Sequence, residues 1–355
     1  MRICVVSYHS SPLEPIGVGY SGGMNVCTSN LYTRLSPSCT VDIFTYGTHA
    51  RVMLNDSATI HYIDKKNPVH FAEEIMQHHT LQQYDVIHTH YWLSGIIGLY
   101  LKKVSKIPWI HTFHTIERFK TIKKNEVRVE IEEEIMRSCD VILSPTIREK
   151  YLLTKHAPQA QVIAIPHGVD TTRFTARVDG SSNLLYVGRI DPLKGLEVLI
   201  DAVHMLNGNV RLDVVGGPSH KQGTLASIKS YARDVRISFA GPVNHNELTG
   251  YYERAAMVIL PSYYESFGLV ALEAMASARP VIGFEDTGLS ETVGNRAGIL
   301  VKRNTRALAR AIAFLINNKT ARHNLGNRGC RAVQKYDWSR IARVYLKTYE
   351  EIAKN

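Results

Sequence analysis

Short apolar runs recur along the chain, each closed by glycine, proline or polar residues, and longer stretches of helical period lie between them. Residues 3–7 (ICVVS) have the length and composition of a strand buried on both faces. Similar runs follow at 41–45, 84–90, 108–111, 141–144 and 161–165, and again at 184–188, 210–215, 235–239 and 257–260. Helical patterns fall between them, up to Leu35 and at 92–104, 130–138, 146–155, 196–206 and 244–254. Strands alternating with helices predict an α/β protein with parallel sheets and right-handed crossovers. Ligands of such sheets bind at the carboxyl ends of the strands. Residues 166–174 (PHGVDTTRF) break the rhythm, and polar residues continue to Ser182. The predicted division is a Rossmann-like domain at 1–165, a second at 166–335, and a last helix at 336–355. That helix has an apolar face of Trp338, Ile341, Tyr345 and Tyr349.

The most informative stretch begins at 255–261 (AAMVILP), an apolar run stopped by Pro261. Glu265 and Glu273 follow, with Phe267, Gly268 and Leu269 between them and small residues at 274–278. The order is strand, loop, helix. Glu265 is predicted on the loop at the strand's end, and Glu273 about one and a half turns into the helix. The N–H groups of Gly268 and Leu269 then lie at a helix N-terminus, which suits a phosphate. A carboxylate further along can accept from two vicinal hydroxyls. Phosphate at the helix tip and a diol on a carboxylate describe a nucleotide-sugar site.

Residues 187–196 (VGRIDPLKGL) also follow a strand and open a helix. Arg189 and Lys194 stand where two cations can clamp one diphosphate, the first bidentate and the second as a point charge. Neutralising a diphosphate leaving group is electrostatic stabilisation of the transition state. His111 and His114 lie in a loop at a strand's carboxyl end, with no cysteine or carboxylate at zinc spacing. Gly17, Gly19 and Gly22 satisfy a dinucleotide-binding spacing, but they come late after the first strand. No carboxylate ends the next strand to hold a ribose. Gly22 and Gly23 are therefore read as a close backbone approach to a phosphate or sugar.

These segments together resemble the retaining glycosyltransferases of the GT-B fold. That large family includes sucrose-phosphate synthase and the mycothiol-pathway enzyme that joins N-acetylglucosamine to inositol phosphate. Glu265 and Glu273 match its Glu-(seven residues)-Glu motif, and residues 188–195 its Gly-Arg-(several)-Lys-Gly segment for the donor pyrophosphate. The resemblance implies two Rossmann-like domains facing a cleft, with the last helix crossing back to the first domain. It implies that Glu265 holds the donor sugar hydroxyls, Glu273 the ribose diol, and that Val243 belongs to the donor site. His114 matches the histidine that contacts the donor sugar. His9, Asn25, Tyr91 and Thr115 fall on acceptor positions, and Arg128 on an arginine that holds the acceptor phosphate. A further phosphate-binding lysine of that enzyme has only Lys65 and Lys66 nearby, a departure that bears on inositol phosphate itself.

The expectation is a retaining hexosyltransferase using a nucleotide diphosphate sugar, UDP-linked glucose or N-acetylglucosamine foremost. Its acceptor is a hydroxyl of a small polar cyclitol or sugar, in some cases phosphorylated. No two carboxylates are arranged as nucleophile and acid, so a same-face mechanism is expected, the departing phosphate oxygen taking the acceptor proton. No cofactor or metal is expected. The rivals are a membrane-peripheral enzyme with a lipid acceptor, an NAD-dependent oxidoreductase, and a silent sugar- or nucleotide-binding module.

Composition narrows partners and place. A length of 355 residues accommodates two domains. The net charge of +10 calls for a polyanion: a nucleotide diphosphate, a phosphorylated acceptor or an anionic membrane, with no module for nucleic acid. Residues 118–124 (RFKTIKK) are read as a rim for a phosphorylated acceptor, a contact with anionic lipid, or a solvated loop. Five unpatterned cysteines, no signal peptide and no membrane-spanning run point to the cytoplasm, with the protein a monomer or homodimer.

Overall fold

The computed structural model describes residues 1–14, 22–35, 39–120, 124–175, 183–206, 210–218, 224–232 and 235–354. They divide into two compact units. One holds Met1–Glu14, Met24–Pro166 and the segment from Trp338, and the other His167–Asp337 together with Gly22 and Gly23.

The first unit runs β1 (Arg2–Val6), α1 (Gly23–Leu35), β2 (Thr40–Tyr46), β3 (Val52–Asn55), β4 (Ala58–Ile63), α2 (Pro68–His78), β5 (Val86–His90) and α3 (Tyr91–Val104). It continues through β6 (Trp109–Thr112), α4 (Glu126–Ser138), β7 (Val141–Ser144), α5 (Ile147–His156) and β8 (Gln161–Ala164). The strands lie in the order β3-β4-β2-β1-β5-β6-β7-β8. Ile3, Cys4, Val5 and Val6 are all buried, as a strand covered on both faces requires. The pair β3–β4 departs from the parallel expectation and is antiparallel. Asn55 Oδ1 accepts from the N–H groups of Ser57 and Ala58 at 3.0 and 2.8 Å, closing a turn too short for a crossover helix. Helix α4 starts earlier than its apolar period suggests, because Asn125 caps it through the Arg128 N–H at 3.2 Å.

The second unit runs β9 (Asn183–Val187), α6 (Leu196–His204), β10 (Leu212–Val215), α7 (Thr224–Tyr231), β11 (Ile237–Gly241), α8 (Leu248–Arg254), β12 (Ala255–Leu260) and α9 (Leu269–Ala276). Then come β13 (Val281–Phe284), α10 (Leu289–Thr292), β14 (Gly298–Val301), α11 (Thr305–Asn317) and α12 (Lys319–Ala332). The order β11-β10-β9-β12-β13-β14 is all parallel, a doubly wound sheet. Helix α8 begins later than its pattern predicts. Residues 244–247 form a turn in which the Glu247 N–H donates to the Asn244 carbonyl at 2.9 Å.

Helix α13 (Trp338–Ala353) returns to the first sheet. Its Trp338, Ile341, Tyr345 and Tyr349 share one apolar cluster with Ile3, Val5, Leu31 and Val41. Strand order reverses between β1 and β5 in the first sheet and between β9 and β12 in the second. A crevice forms at the carboxyl end of each such reversal.

Candidate functional site

In the second unit, the loops after β9 and β12 flank the reversal. Asp191 caps a short turn through the Leu193 N–H at 2.9 Å, and that turn carries Lys194. Gly195 ends it at φ 67°, where a Cβ would stand 2.1 Å from the Pro261 carbonyl oxygen. Only glycine lets the two loops approach so closely. The Tyr263 N–H donates to the Leu193 carbonyl at 2.8 Å and locks them together. Lys194 Nζ consequently donates to Glu265 Oε2 at 2.7 Å. Arg189, half-buried, follows β9 directly, and its carbonyl accepts from the buried Tyr186 hydroxyl at 2.9 Å.

The Glu265 loop is held from a second side. The Gly288 N–H donates to the Glu265 carbonyl at 2.7 Å, and Arg303 donates to the Tyr263 carbonyl at 2.8 Å. Gly268, at φ 93°, is the N-cap of α9, so the first N–H groups of that helix have no intrahelical acceptor. Phe267 is buried beside His167, and its carbonyl accepts from the Thr292 hydroxyl at 2.7 Å. Its side chain therefore packs the loop, and only its backbone neighbours can meet a ligand. Val243 is half-buried after β11.

Glu273 is only 5% exposed. Its Oε1 accepts from His245 Nε2 at 2.7 Å and its Oε2 from the Tyr252 hydroxyl at 2.7 Å. Arg173, which can only donate, lies 2.9 Å from His245 Nδ1. That contact places the His245 proton on Nε2, facing Glu273. Each carboxylate oxygen keeps a further lone pair for a ligand hydroxyl.

In the first unit, the reversal between β1 and β5 gathers His9, Asn25, Tyr91, His114, Thr115 and Arg128. Tyr91 (φ 71°) and His114 (φ 59°) hold left-handed backbones after β5 and β6, the kind of strain that persists where surroundings impose it. The Thr115 N–H donates across His114 to the Phe113 carbonyl at 2.7 Å. Arg128 is buried and its fork is engaged. It donates to Glu132 at 2.7 Å, to the Tyr91 hydroxyl at 2.9 Å, and to Thr115 Oγ1 and carbonyl at 3.0 and 2.8 Å. Glu117 lies 3.2 Å from the same guanidinium. Burial raises Glu117, yet Lys120, the Asn125 N–H and Arg128 outweigh it and hold the carboxyl below its usual range. Burial pushes Glu132 up despite Arg128. Arg128 thus holds Tyr91 and Thr115 in place, with its charge balanced by two carboxylates.

The His9 ring lies 4.4 Å from the Tyr91 ring, tilted by 35°, and burial, then the Arg128 charge, push its pKa down to about 4. Asn25 is buried and donates to Ser10 Oγ and the Ser11 carbonyl at 2.6 Å each. It fixes the loop after β1. Gly23 opens α1, with Gly22 before it; Gly17, Gly19 and Ser21 lie outside the described residues. So do 121–123 of the basic loop and 176–182 of the polar connection. Of the described cations of that basic loop, Arg118 pairs with Glu133 and Lys120 with Glu117 at 2.5 Å, while Lys124 is exposed.

Several residues around these groups carried no sequence signal. His245 and Tyr252 hold Glu273 but lie well before it on another element. His90, in β5, touches His114: its Nδ1 lies 2.9 Å from His114 Nε2. Among the described residues, no helix is long and apolar enough to cross a membrane.

Residues 170–331 match the family "Glycosyl transferases group 1", and residues 21–173 match "Glycosyltransferase Family 4". The D-inositol 3-phosphate glycosyltransferase of Pseudarthrobacter chlorophenolicus is 32% identical over 98% of this chain and 94% of its own length. That of Corynebacterium glutamicum is 30% identical over 100% and 98%. Among solved structures, the sucrose-phosphate synthase of Thermosynechococcus elongatus is similar at a TM-score of 0.89, with 27% identity over 99% and 98% of the two chains. HepE of Anabaena, solved with UDP and glucose, is similar in fold at a TM-score of 0.82, with 16% identity over 99% and 100%.

Proposed function

The chain belongs to the group 1 glycosyltransferases of the GT-B fold, a family of hexosyltransferases, and on that footing we propose a specific reaction. It moves glucose or N-acetylglucosamine, with retention, from a UDP-sugar to a hydroxyl of a small cyclitol or sugar. The observation that carries this reading is the Lys194–Glu265 pair at the reversal of the second sheet, set before the N-terminus of α9. A diphosphate draws Lys194 away and leaves Glu265 for the sugar hydroxyls. Arg189 and the helix end share the leaving-group charge, so the chemistry needs no metal. Glu273, already fixed by His245 and Tyr252, offers its remaining lone pairs to the ribose diol.

His114 contacts the donor sugar, and His9, Tyr91 and Thr115 surround the acceptor. The names of the curated relatives favour an inositol phosphate. Glu117 and Glu132 already balance Arg128, so a phosphate on the acceptor must draw on another cation. Lys66 is exposed on the loop after β4, whose carbonyls accept from the Tyr8 hydroxyl. The test is a thermal-shift screen of UDP, GDP and their sugars, followed by transfer assays on inositol and inositol phosphate. A ligand at a hundred times its Kd stabilises by about 2.7 kcal/mol. Stabilisation by UDP-sugars and transfer to a cyclitol support the reading. No response to any nucleotide sugar overturns it.

A further inference from the structure

Tyr91 and Thr115 are tied to a closed set of charges, and that set bears on the kind of acceptor they take. Arg128 is buried, and each nitrogen of its fork is engaged. Nε donates to Glu132 Oε1 at 2.7 Å. One terminal nitrogen donates to the Tyr91 hydroxyl at 2.9 Å, and the other to the carbonyl and Oγ1 of Thr115 at 2.8 and 3.0 Å. Glu117 Oε2 stands 3.2 Å from the nitrogen that serves Tyr91. The guanidinium lies over the Tyr91 and Trp92 rings, 4.7 and 5.8 Å from their centroids.

Glu117 closes the set. Its Oε2 also accepts from Lys120 Nζ at 2.5 Å, and its Oε1 from the Asn125 N–H at 3.1 Å. Burial opposes its charge, and Lys120, the Asn125 N–H and Arg128 outweigh that. Burial pushes Glu132 up as well, while N–H donors on both its oxygens, Arg128 on one and the Glu117 N–H at 2.7 Å on the other, work for the carboxylate. Two cations thus face two carboxylates. A phosphate brought against Tyr91 and Thr115 would leave water for a balanced wall, with the Glu117 charge repelling it. Lys66 is exposed, and an exposed ion pair returns about 1 kcal/mol or less. A neutral hydroxyl meets no such opposition. Arg128 can only donate, so the Tyr91 and Thr115 hydroxyls accept from it and keep their own protons to give. Their oxygens are fixed, and their protons can turn toward an acceptor oxygen.

We propose that Glu117 and Glu132 make Arg128 a positioning residue instead of an anion ligand, and that the acceptor taken here is an uncharged polyol, a cyclitol or sugar without phosphate. The acceptor role of Tyr91 and Thr115 rests on the function proposed above; the balance of the charges does not. A like charge set against the wrong ligand is one way in which a site rejects it. In this the chain parts from the inositol phosphate of its relatives' names.

The experiment compares acceptors that differ only by a phosphate, inositol with inositol phosphate and glucose with glucose 6-phosphate, in transfer from a UDP-sugar. In any pair the wild type uses, kcat/KM is expected to be about tenfold or more higher for the free polyol. Glu117→Gln leaves Arg128 and Lys120 with one carboxylate, and that ratio is expected to fall by about tenfold. A ratio of two acceptors on one protein does not move when part of the protein misfolds. Equal or better use of the phosphorylated member by the wild type overturns the proposal, as does a ratio unchanged in Glu117→Gln. A second readout needs neither donor nor transfer: NMR of the Arg128 Nε–H in the whole protein, assigned with Arg128→Lys, during titration with inorganic phosphate. The wild-type resonance is expected to stay in place, and that of Glu117→Gln to shift saturably. A saturable shift in the wild type overturns the proposal, and so does a variant as unresponsive as the wild type. If no nucleotide sugar binds, the function proposed above falls, and the phosphate titration still decides the role of Arg128.

Discussion

Lys194 and Glu265 hold each other at 2.7 Å, so a ligand that parts them must give an anion to one and hydroxyls to the other. Arg189→Ala or Lys194→Ala is expected to lower kcat/KM about a hundredfold or more, the scale of losing one transition-state donor. Neither should disturb folding, because both side chains are partly exposed. Steady-state kinetics check this, and wild-type turnover in both variants would remove the clamp. The glutamates should separate by ligand. Glu273→Ala strands the Tyr252 hydroxyl and the His245 N–H, so it should weaken UDP binding and also cost about 1–3 kcal/mol of stability. Glu265→Ala should spare UDP and stability and damage binding of the complete UDP-sugar. Calorimetry with both ligands, beside thermal melts, distinguishes them; equal losses for both ligands in both variants contradict the assignment.

Among the elements, α5 makes a stability prediction of its own. Thr146 caps it by accepting from the Glu149 N–H at 3.1 Å, and Glu149 is buried in its first turn. Burial, partly offset by the Ser144 hydroxyl, pushes the Glu149 carboxyl up to about 8. The unfolded chain holds that proton with a pKa of about 4.3. The folded state therefore binds it more tightly. Its contribution is complete below the unfolded value and is lost as pH rises through about 8. Wild-type stability in urea is expected to fall between those values, and Glu149→Gln to flatten the curve there; parallel curves would contradict the burial account. The same scale shows what a reader of the sequence can see. The units β9–α6 and β12–α9 were legible because an apolar run, a loop glycine and a helix follow in order, and Arg189, Lys194, Glu265 and Glu273 stand on them. The partners of Glu273 were not, since His245 and Tyr252 reach it only through packing of α8 on the sheet. Arg128 was expected on an acceptor phosphate, and its two carboxylates were not legible, because Glu132 reaches it only once α4 extends back to Glu126 and Glu117 only once α4 packs on the loop after β6. The pair β3–β4 was missed because β3 is short with no buried position, and β4 mixes buried with half-buried ones.

For the whole molecule, charge is distributed unevenly. Between Glu291 and Asp337 the chain holds ten lysines and arginines and no aspartate or glutamate, equal to the entire net charge of +10. Arg306, Arg310, Arg328 and Arg331 are exposed on α11 and α12, near Phe314, which is 49% exposed. Each such cation near an anionic bilayer contributes about 1 kcal/mol. If the protein meets anionic lipid, this face should make the contact, since in the basic loop Arg118 and Lys120 are already paired and only Lys124 of its described cations is exposed. Arg328→Glu with Arg331→Glu is expected to abolish salt-sensitive cosedimentation with anionic vesicles and leave transfer to a soluble acceptor intact. Undiminished binding would exclude the face. The central claim is that this chain transfers a hexose from a UDP-sugar to a polyol with retention. It is tested most directly by proton NMR of the anomeric centre while the enzyme consumes an α-linked UDP-sugar in the presence of a cyclitol acceptor. The account predicts that an α-linked glycoside of the acceptor appears as UDP is released. A β-linked product, or free sugar with no glycoside at any acceptor concentration, would contradict it.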